Sequence, residues 1–290
     1  MNPSMNSSSV GTPEPYHRTI CRDPVYSGFM PFSGTLFSLI PGRPGGFRYA
    51  GSGVAGLGVA AWSVIVFGLL PHTLPAQAVE VDQGTFIVEM GGRAVGTETF
   101  RIRRLGFGDN ARTIAEGTLE IVLDGSRQTV HSLLGAVGVG MSLDAYQVNV
   151  SLPSELSIRL DRRGGRMVSS SSSEAGVEER EYRRALPQNP TVVLDRFFAH
   201  HYFFLAPYQS PGGISLSAIR PRSGSQSTGT LRMTTVEPVT VGAATIQAQR
   251  LELRIDGAVH EIWLDVQNRV LRVQIPSQGY VAVRRDPPPN

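Results

Sequence analysis

The chain contains no lysine: all 27 of its basic residues are arginine. With abundant Gly, Ala, Val and Pro beside them, this points to a GC-rich bacterial coding bias rather than a demand for guanidinium chemistry. The single cysteine, Cys21, lies before the one long uncharged stretch. Everything after that stretch therefore lacks a disulfide, a thiol nucleophile and a thiolate metal site. No lipobox cysteine is present, so nothing supports lipidation by that route. G-x-S-x-G, P-loop and dinucleotide fingerprints are also missing. No catalytic residue, metal site or cofactor is assigned. Charge is close to balanced where it matters. Four arginines precede Gly51 against Glu14 and Asp23, leaving 23 arginines against 22 acidic residues after Ala78. Nucleic-acid binding needs a basic face or stripe, and this composition offers none. The local cluster Arg159 to Arg166 reads as a solvated hairpin end.

What is present begins with Gly51 to Ala78, which carries no charge. Arg43 and Arg48 precede it, the apolar run Val54 to Leu70 forms its centre, and Ala76-Gln77-Ala78 closes it. Positive flank, apolar core and A-x-A end are the parts of a secretory signal. A membrane span needs roughly 20 apolar residues, and about 17 is the lower limit. The core sits at that limit, with glycines that weaken it as a permanent helix. Pro71 and Pro75 would end a helix just before the cleavage site. The expectation is a signal peptide over 51–78 cleaved after Ala78, with an uncleaved inner-membrane anchor as the alternative. In the second case, residues 51–71 would be the only membrane contact. Residues 1–50 are aperiodic and rich in Pro, Gly and Ser, a composition that cannot bury enough apolar surface to offset chain entropy. They read either as a disordered extension or as the product of a start site placed too far upstream. The rest, 79–290, is long enough for one core-forming domain, expected in the periplasm or outside the cell.

That domain reads as strands. Period-2 segments recur between turn residues, as in Leu119-Ile121-Leu123 before Asp124-Gly125. Another is Tyr146-Val148-Val150-Leu152, with polar residues between them. Ser169–Ser173 reads as an exposed loop, and Glu178 to Glu181 as a solvated strand or turn. In the strand beginning at Ile246, the apolar phase moves from even positions (Ile246, Ala248) to odd ones (Leu251, Leu253, Ile255). A shift of one residue exchanges the faces, and a bulge near Gln249-Arg250 would restore register and bend the strand. The fold expected is all-β with one helix: a strongly curved antiparallel sheet, an open or half-closed barrel. The helix is placed at 190–206, with Asn189 as N-cap, Pro190 at its first position and Pro207 at its end. Its apolar stripe, Val193, Leu194, Phe197, Phe198, His201, Phe204 and Leu205, would pack on the concave face.

Gly91-Gly92-Arg93-Ala94-Val95-Gly96-Thr97-Glu98-Thr99-Phe100 resembles the opening hairpin, G-x-x-x-G-x-x-x-F, of a group of uncharacterised bacterial periplasmic β-sheet proteins. Trp263 to Val273 resembles their closing hairpin: an aromatic, an Asp at the turn, then an apolar-Arg strand. The two segments cover about a tenth of the chain. The resemblance implies a curved β-sheet domain of the envelope and no particular activity. From the residues alone, Asp265 and Asn268 favour a turn, with Leu271, Val273 and Ile275 facing inward and Val270, Arg272 and Gln274 outward. Trp263 would cover the outer face or an edge.

Four histidines follow Ala78: His131, His200, His201 and His260. Zinc wants three or four converging ligands, whereas adjacent His200 and His201 would point about 100° apart on a helix. His201 falls on the apolar stripe and His200 on its polar side. Asp195 stands five residues from His200, a poor spacing for contact. The leading functional reading is a non-catalytic exported protein that binds a lipid, another apolar small molecule or an envelope protein in the sheet's concavity. Phe197, Phe198, His201, Phe204 and Trp263 are its candidate lining residues. A hydrolase using His200 or His201 is one alternative, and a structural envelope protein another.

Overall fold

The computed structural model describes residues 78–290 apart from Pro153, Ala185, Pro187 and Asn290. The readings of the N-terminal extension and of the signal or anchor fall on residues outside that range, with the exception of Ala78. Among the described residues, fifteen strands make one sheet. They are β1 (Val79–Met90), β2 (Arg93–Leu105), β3 (Arg112–Leu123), β4 (Ser126–Val137), β5 (Ser142–Leu152), β6 (Leu156–Arg163), β7 (Arg166–Ser173) and β8 (Gly176–Glu181). The second half comprises β9 (Thr191–Val193), β10 (Ile214–Arg220), β11 (Ser225–Val241), β12 (Ala244–Ile255), β13 (Ala258–Leu264), β14 (Val270–Ile275) and β15 (Tyr280–Arg284). Sequence neighbours pair throughout the meander, apart from one link and one gap. The first strand pairs antiparallel with the last, Phe86 opposite Arg284 and Met90 opposite Tyr280. No backbone ladder joins β8 to β9, so these two form the ends of the sheet. The result is a strongly curved, barrel-like sheet that backbone ladders do not close.

Turn chemistry sets this register. Gly91 and Gly92 both have positive φ, 58° and 76°, the mirror-image turn whose twist matches that of the flanking strands. The side-chain alternation then carries one phase of each strand into a continuous interior that includes Phe86, Ile102, Leu119, Leu134, Leu160 and Leu253. Side-chain bonds tie β8 and the residues just after it to the start of β11. The Gln226 carboxamide accepts from the Arg183 N–H at 2.7 Å and donates to the Arg183 carbonyl at 2.9 Å, as a neighbouring strand would. Arg180 donates to the Gly224 carbonyl at 2.7 Å. No helix among the described residues is long and apolar enough to cross a membrane.

Several local expectations are corrected. The 190–206 helix is shorter and tighter: a 3-10 helix spans His200–Tyr208, while Thr191–Val193 is strand β9, parallel to β10. β-branched residues at 191–193 favour the extended state. Pro190 acts through its carbonyl, which accepts the Ser217 N–H at 2.8 Å. All six residues from His200 to Leu205 are buried and only the last turn, at Pro207, reaches solvent, so an amphipathic stripe was the wrong template. The serine run 169–173 belongs to β7, paired on both sides, with Ser169 turned inward toward Tyr182.

The phase change in β12 involves no bulge in that strand, which pairs regularly with β13. It marks burial on opposite faces. Leu251, Leu253 and Ile255 enter the main interior, while Ile246 and Ala248 join Val239, Val241, Trp263 and Leu271 in a separate cluster. The extra residue lies in the partner strand, between Met233 and Val236 of β11. A similar irregularity at Trp263/Leu264 exchanges Val270 and Leu271 relative to expectation. Val270 enters the main core and Leu271 the second cluster.

Candidate functional site

The segment from Asp195 to Tyr202 crosses the interior between β9 and the body of the 3-10 helix. It brings ionisable side chains into a core from which strands alone would exclude them. Phe197 adopts φ 68°, a left-handed conformation that costs a residue with a Cβ about 1–2 kcal/mol. Packing holds it there. The Tyr280 hydroxyl donates to the Phe197 carbonyl at 3.3 Å, and the Arg196 guanidinium lies 4.5 Å from the Phe197 ring centre.

On one side of this segment is a sealed polar cradle. Glu98 of β2 is fully buried and accepts three hydrogen bonds. They come from the Ala199 N–H at 2.6 Å, the His200 N–H at 3.0 Å and His200 Nδ1 at 2.5 Å. One carboxylate thus satisfies donors that the start of a helix leaves open. The His200 ring lies where a side chain on Gly117 would be: a Cβ there would meet His200 Cε1 at 2.3 Å. Beside the cradle, Asp195 accepts from the Tyr146 hydroxyl at 2.8 Å, Arg222 Nε at 2.9 Å and the Arg196 N–H at 3.0 Å. The Asp195 N–H donates to His201 Nδ1 at 3.2 Å. His201 is held well below the usual histidine range by burial, then by His200 and Arg222. Its ring is therefore neutral, with the proton on Nε2. Burial, reinforced by Asp195, pushes the Tyr146 phenol well up. His200 Nε2, His201 Nε2 and the nearby Ser132 Oγ have no partner among the described residues. Carboxylate against imidazole is acid/base hardware, but His200 and His201 are fully enclosed. No substrate reaches them in this arrangement.

On the other side is an open cavity of about 570 Å³, within the range of roughly 300–1,000 Å³ usual for small-molecule sites. Leu194, Phe197, Phe198, Ile255, Ile275 and Tyr280 supply its apolar wall. Its polar wall includes Arg196, Arg220, Arg222, Asp195, Asp256 and His260. At the boundary, the Tyr202 hydroxyl lies 2.7 Å from His260 Nδ1. Burial lowers His260 to about 4, with Arg220 pushing the same way and Asp256 opposing. Burial also raises Tyr202. Both are neutral near pH 7; in the tautomer that carries the proton on Nε2, Tyr202 donates to Nδ1 and Nε2–H is the ring's remaining donor.

The candidate residues separate on this geometry. Phe197 and Phe198 line the cavity. His201 and Phe204 lie in the sealed interior. Trp263 belongs to the second cluster, with Arg272 and Arg250 at 5.1 and 5.7 Å from its ring centre and its Nε1–H donating to Glu237 at 2.6 Å. His200 is not on a polar side but in the core. Asp195 meets His201 rather than His200, and the carboxylate beside His200 comes from 102 residues away. His131 is exposed and bonded to Thr118 across β3 and β4, far in role from the buried histidines. Sequence reading missed Glu98, Tyr146, Tyr202 and the three arginines. For Glu98 a signal exists: it shares the inward phase of β2 with Phe100 and Ile102, a charged residue on an apolar face.

No protein-family model matches this chain, and no curated protein sequence does either. Among solved structures, it is similar to a β-barrel-like protein of a domain of unknown function, DUF1849, from Brucella abortus. The TM-score is 0.42 at 8% identity, covering 72% of this chain and 96% of that one. It is also similar to a putative exported protein with a YmcC-like fold from Bacteroides fragilis. There the TM-score is 0.34 at 8% identity, covering 74% of this chain and 98% of that one.

Proposed function

We propose that this is an exported, non-catalytic binding protein that takes a small, largely apolar molecule into the cavity beside Leu194–Phe198. The observation that carries the reading is an open cavity of about 570 Å³ with an aromatic wall, from which the Glu98, His200 and His201 side chains are sealed. A filled core would leave no such space, because protein interiors pack to crystal-like density. The strained Phe197 supports the reading, since non-glycine residues in rare backbone regions cluster at ligand clamps and active sites. Export rests on the signal-like stretch 51–78 and is part of the proposal.

The test is native mass spectrometry of the full chain, paired with organic extraction and melting curves against a lipid panel. A bound mass released on unfolding, or a melting temperature that rises with ligand concentration, is the expected result. An Ala258→Phe variant, which puts a ring into the cavity wall, should abolish it. A chain that is always ligand-free and melts at one temperature throughout the panel would sink the reading and favour an envelope-protein partner or a structural role.

A further inference from the structure

Three arginines converge on the cavity wall, and their charge is only partly met by carboxylates. Arg222 is committed to Asp195 at 2.9 Å and to the Arg196 carbonyl. Arg220 is paired with Asp256 at 2.5 Å. Arg196 has no carboxylate partner among the described residues and lies over the Phe197 ring. Each guanidinium has five N–H donors, so donors remain on all three after these bonds are counted. In the tautomer whose Nδ1 accepts from the Tyr202 hydroxyl, His260 adds Nε2–H. The polar wall is therefore rich in donors and carries more positive than negative charge, while its two carboxylates already have partners. Beside these arginines the cavity offers Phe197, Phe198, Leu194 and Ile275.

We infer that the cavity selects an anionic amphiphile, a molecule with a carboxylate or phosphate head at Arg196, Arg220 and His260 and an apolar tail along the aromatic wall. This rests on the binding-cavity reading and adds the charge of the ligand to it. A cation would face three arginines. A neutral oil would leave the guanidinium donors covered and unpaired, which is costly in a desolvated site. An anion instead accepts charge-assisted hydrogen bonds, which are about twice as strong as neutral ones.

The experiment is calorimetric titration of the full chain with probes of one chain length: dodecanoate, dodecyl phosphate, dodecanol and dodecylammonium. Acetate and inorganic phosphate serve as heads without tails. Arg196→Gln and Arg220→Gln are the variants, because neither strands a buried carboxylate: Arg196 has no acidic partner among the described residues and the Asp256 side chain is 50% exposed. One or both tailed anions should bind at least tenfold more tightly than dodecanol, and the preference between them identifies the head group. Each variant should weaken the preferred anion about tenfold, about 1.4 kcal/mol, and leave dodecanol unchanged. Dodecanol binding as well as the anions, or variants without effect on them, would overturn the charge assignment and leave the apolar cavity standing. Tailless anions binding as tightly as tailed ones would overturn the amphiphile. If none of the four tailed probes binds, the cavity reading itself fails.

Discussion

Glu98–His200 and Tyr202–His260 lie on opposite sides of one interior segment, and both pair a buried histidine with an oxygen acid. The first pair is a closed fixture. Its carboxylate also takes two backbone N–H groups, and its ring fills the space left by Gly117. The second has one bond and borders the open cavity. The same chemical parts are thus structural where every approach is packed and available where one side is left open. Access, not residue type, separates them. The carboxylate beside His200 is packed in on every side, whereas the hydroxyl beside His260 borders open space.

The largest effect should come from emptying the closed side. Glu98→Ala removes the acceptor from three buried donors, each costing about 1–3 kcal/mol when left unpaired. Urea unfolding is expected to show a loss of at least about 3 kcal/mol. A loss below about 1 kcal/mol would mean that the cradle does not hold the segment in place.

Acid should act on both sides through the same sign. His260 is near 4 when folded, against 6.5 as its ordinary value, and so binds fewer protons folded than unfolded. The stability associated with its neutral ring is complete above pH about 6.5 and is lost as pH falls toward 4. This amounts to about 3 kcal/mol for His260 alone. His201, also depressed, adds in the same direction and extends the loss to lower pH. Denaturant midpoints between pH 7.5 and 4 should fall accordingly, and His260→Gln should flatten part of the slope. An unchanged slope in that variant would place the pH dependence on the sealed side alone.

The smallest effect belongs to the open side. Tyr202→Phe removes one hydrogen bond, worth about 1 kcal/mol, without emptying the core. The sharper readout is nitrogen NMR of His260. The native ring should carry its proton on Nε2, and the variant should show a mixture of tautomers. A native ring protonated on Nδ1 would reverse the donor assignment and erase the contrast with His200.

Strand content was legible because the side-chain period repeats through segments such as Tyr146–Leu152, and because paired turn residues such as Asp124-Gly125 mark where the chain reverses. The curved sheet and the Asp265–Asn268 turn followed from the same local rules. In that turn, the Asp265 carboxylate accepts from the Gln267 and Arg269 N–H groups at 2.9 and 2.8 Å. The 3-10 helix was harder to read, because periodicity identifies a helix by its polar face and this one has none. β12 misled in a similar way: its two ends bury opposite faces, which in sequence looks like a slip of register.

By itself, the sequence determined a strand-rich meander with balanced charge, no cysteine after residue 21 and an aromatic segment at 197–204 destined for burial. These are consequences of composition and of contacts between near neighbours. Tertiary structure decided that β1 meets β15, that Glu98 reaches His200 across 102 residues, and which of the aromatic side chains face open space. Such pairings depend on how a long sheet curls, and curling is a sum of small twists over fifteen strands that no single segment specifies.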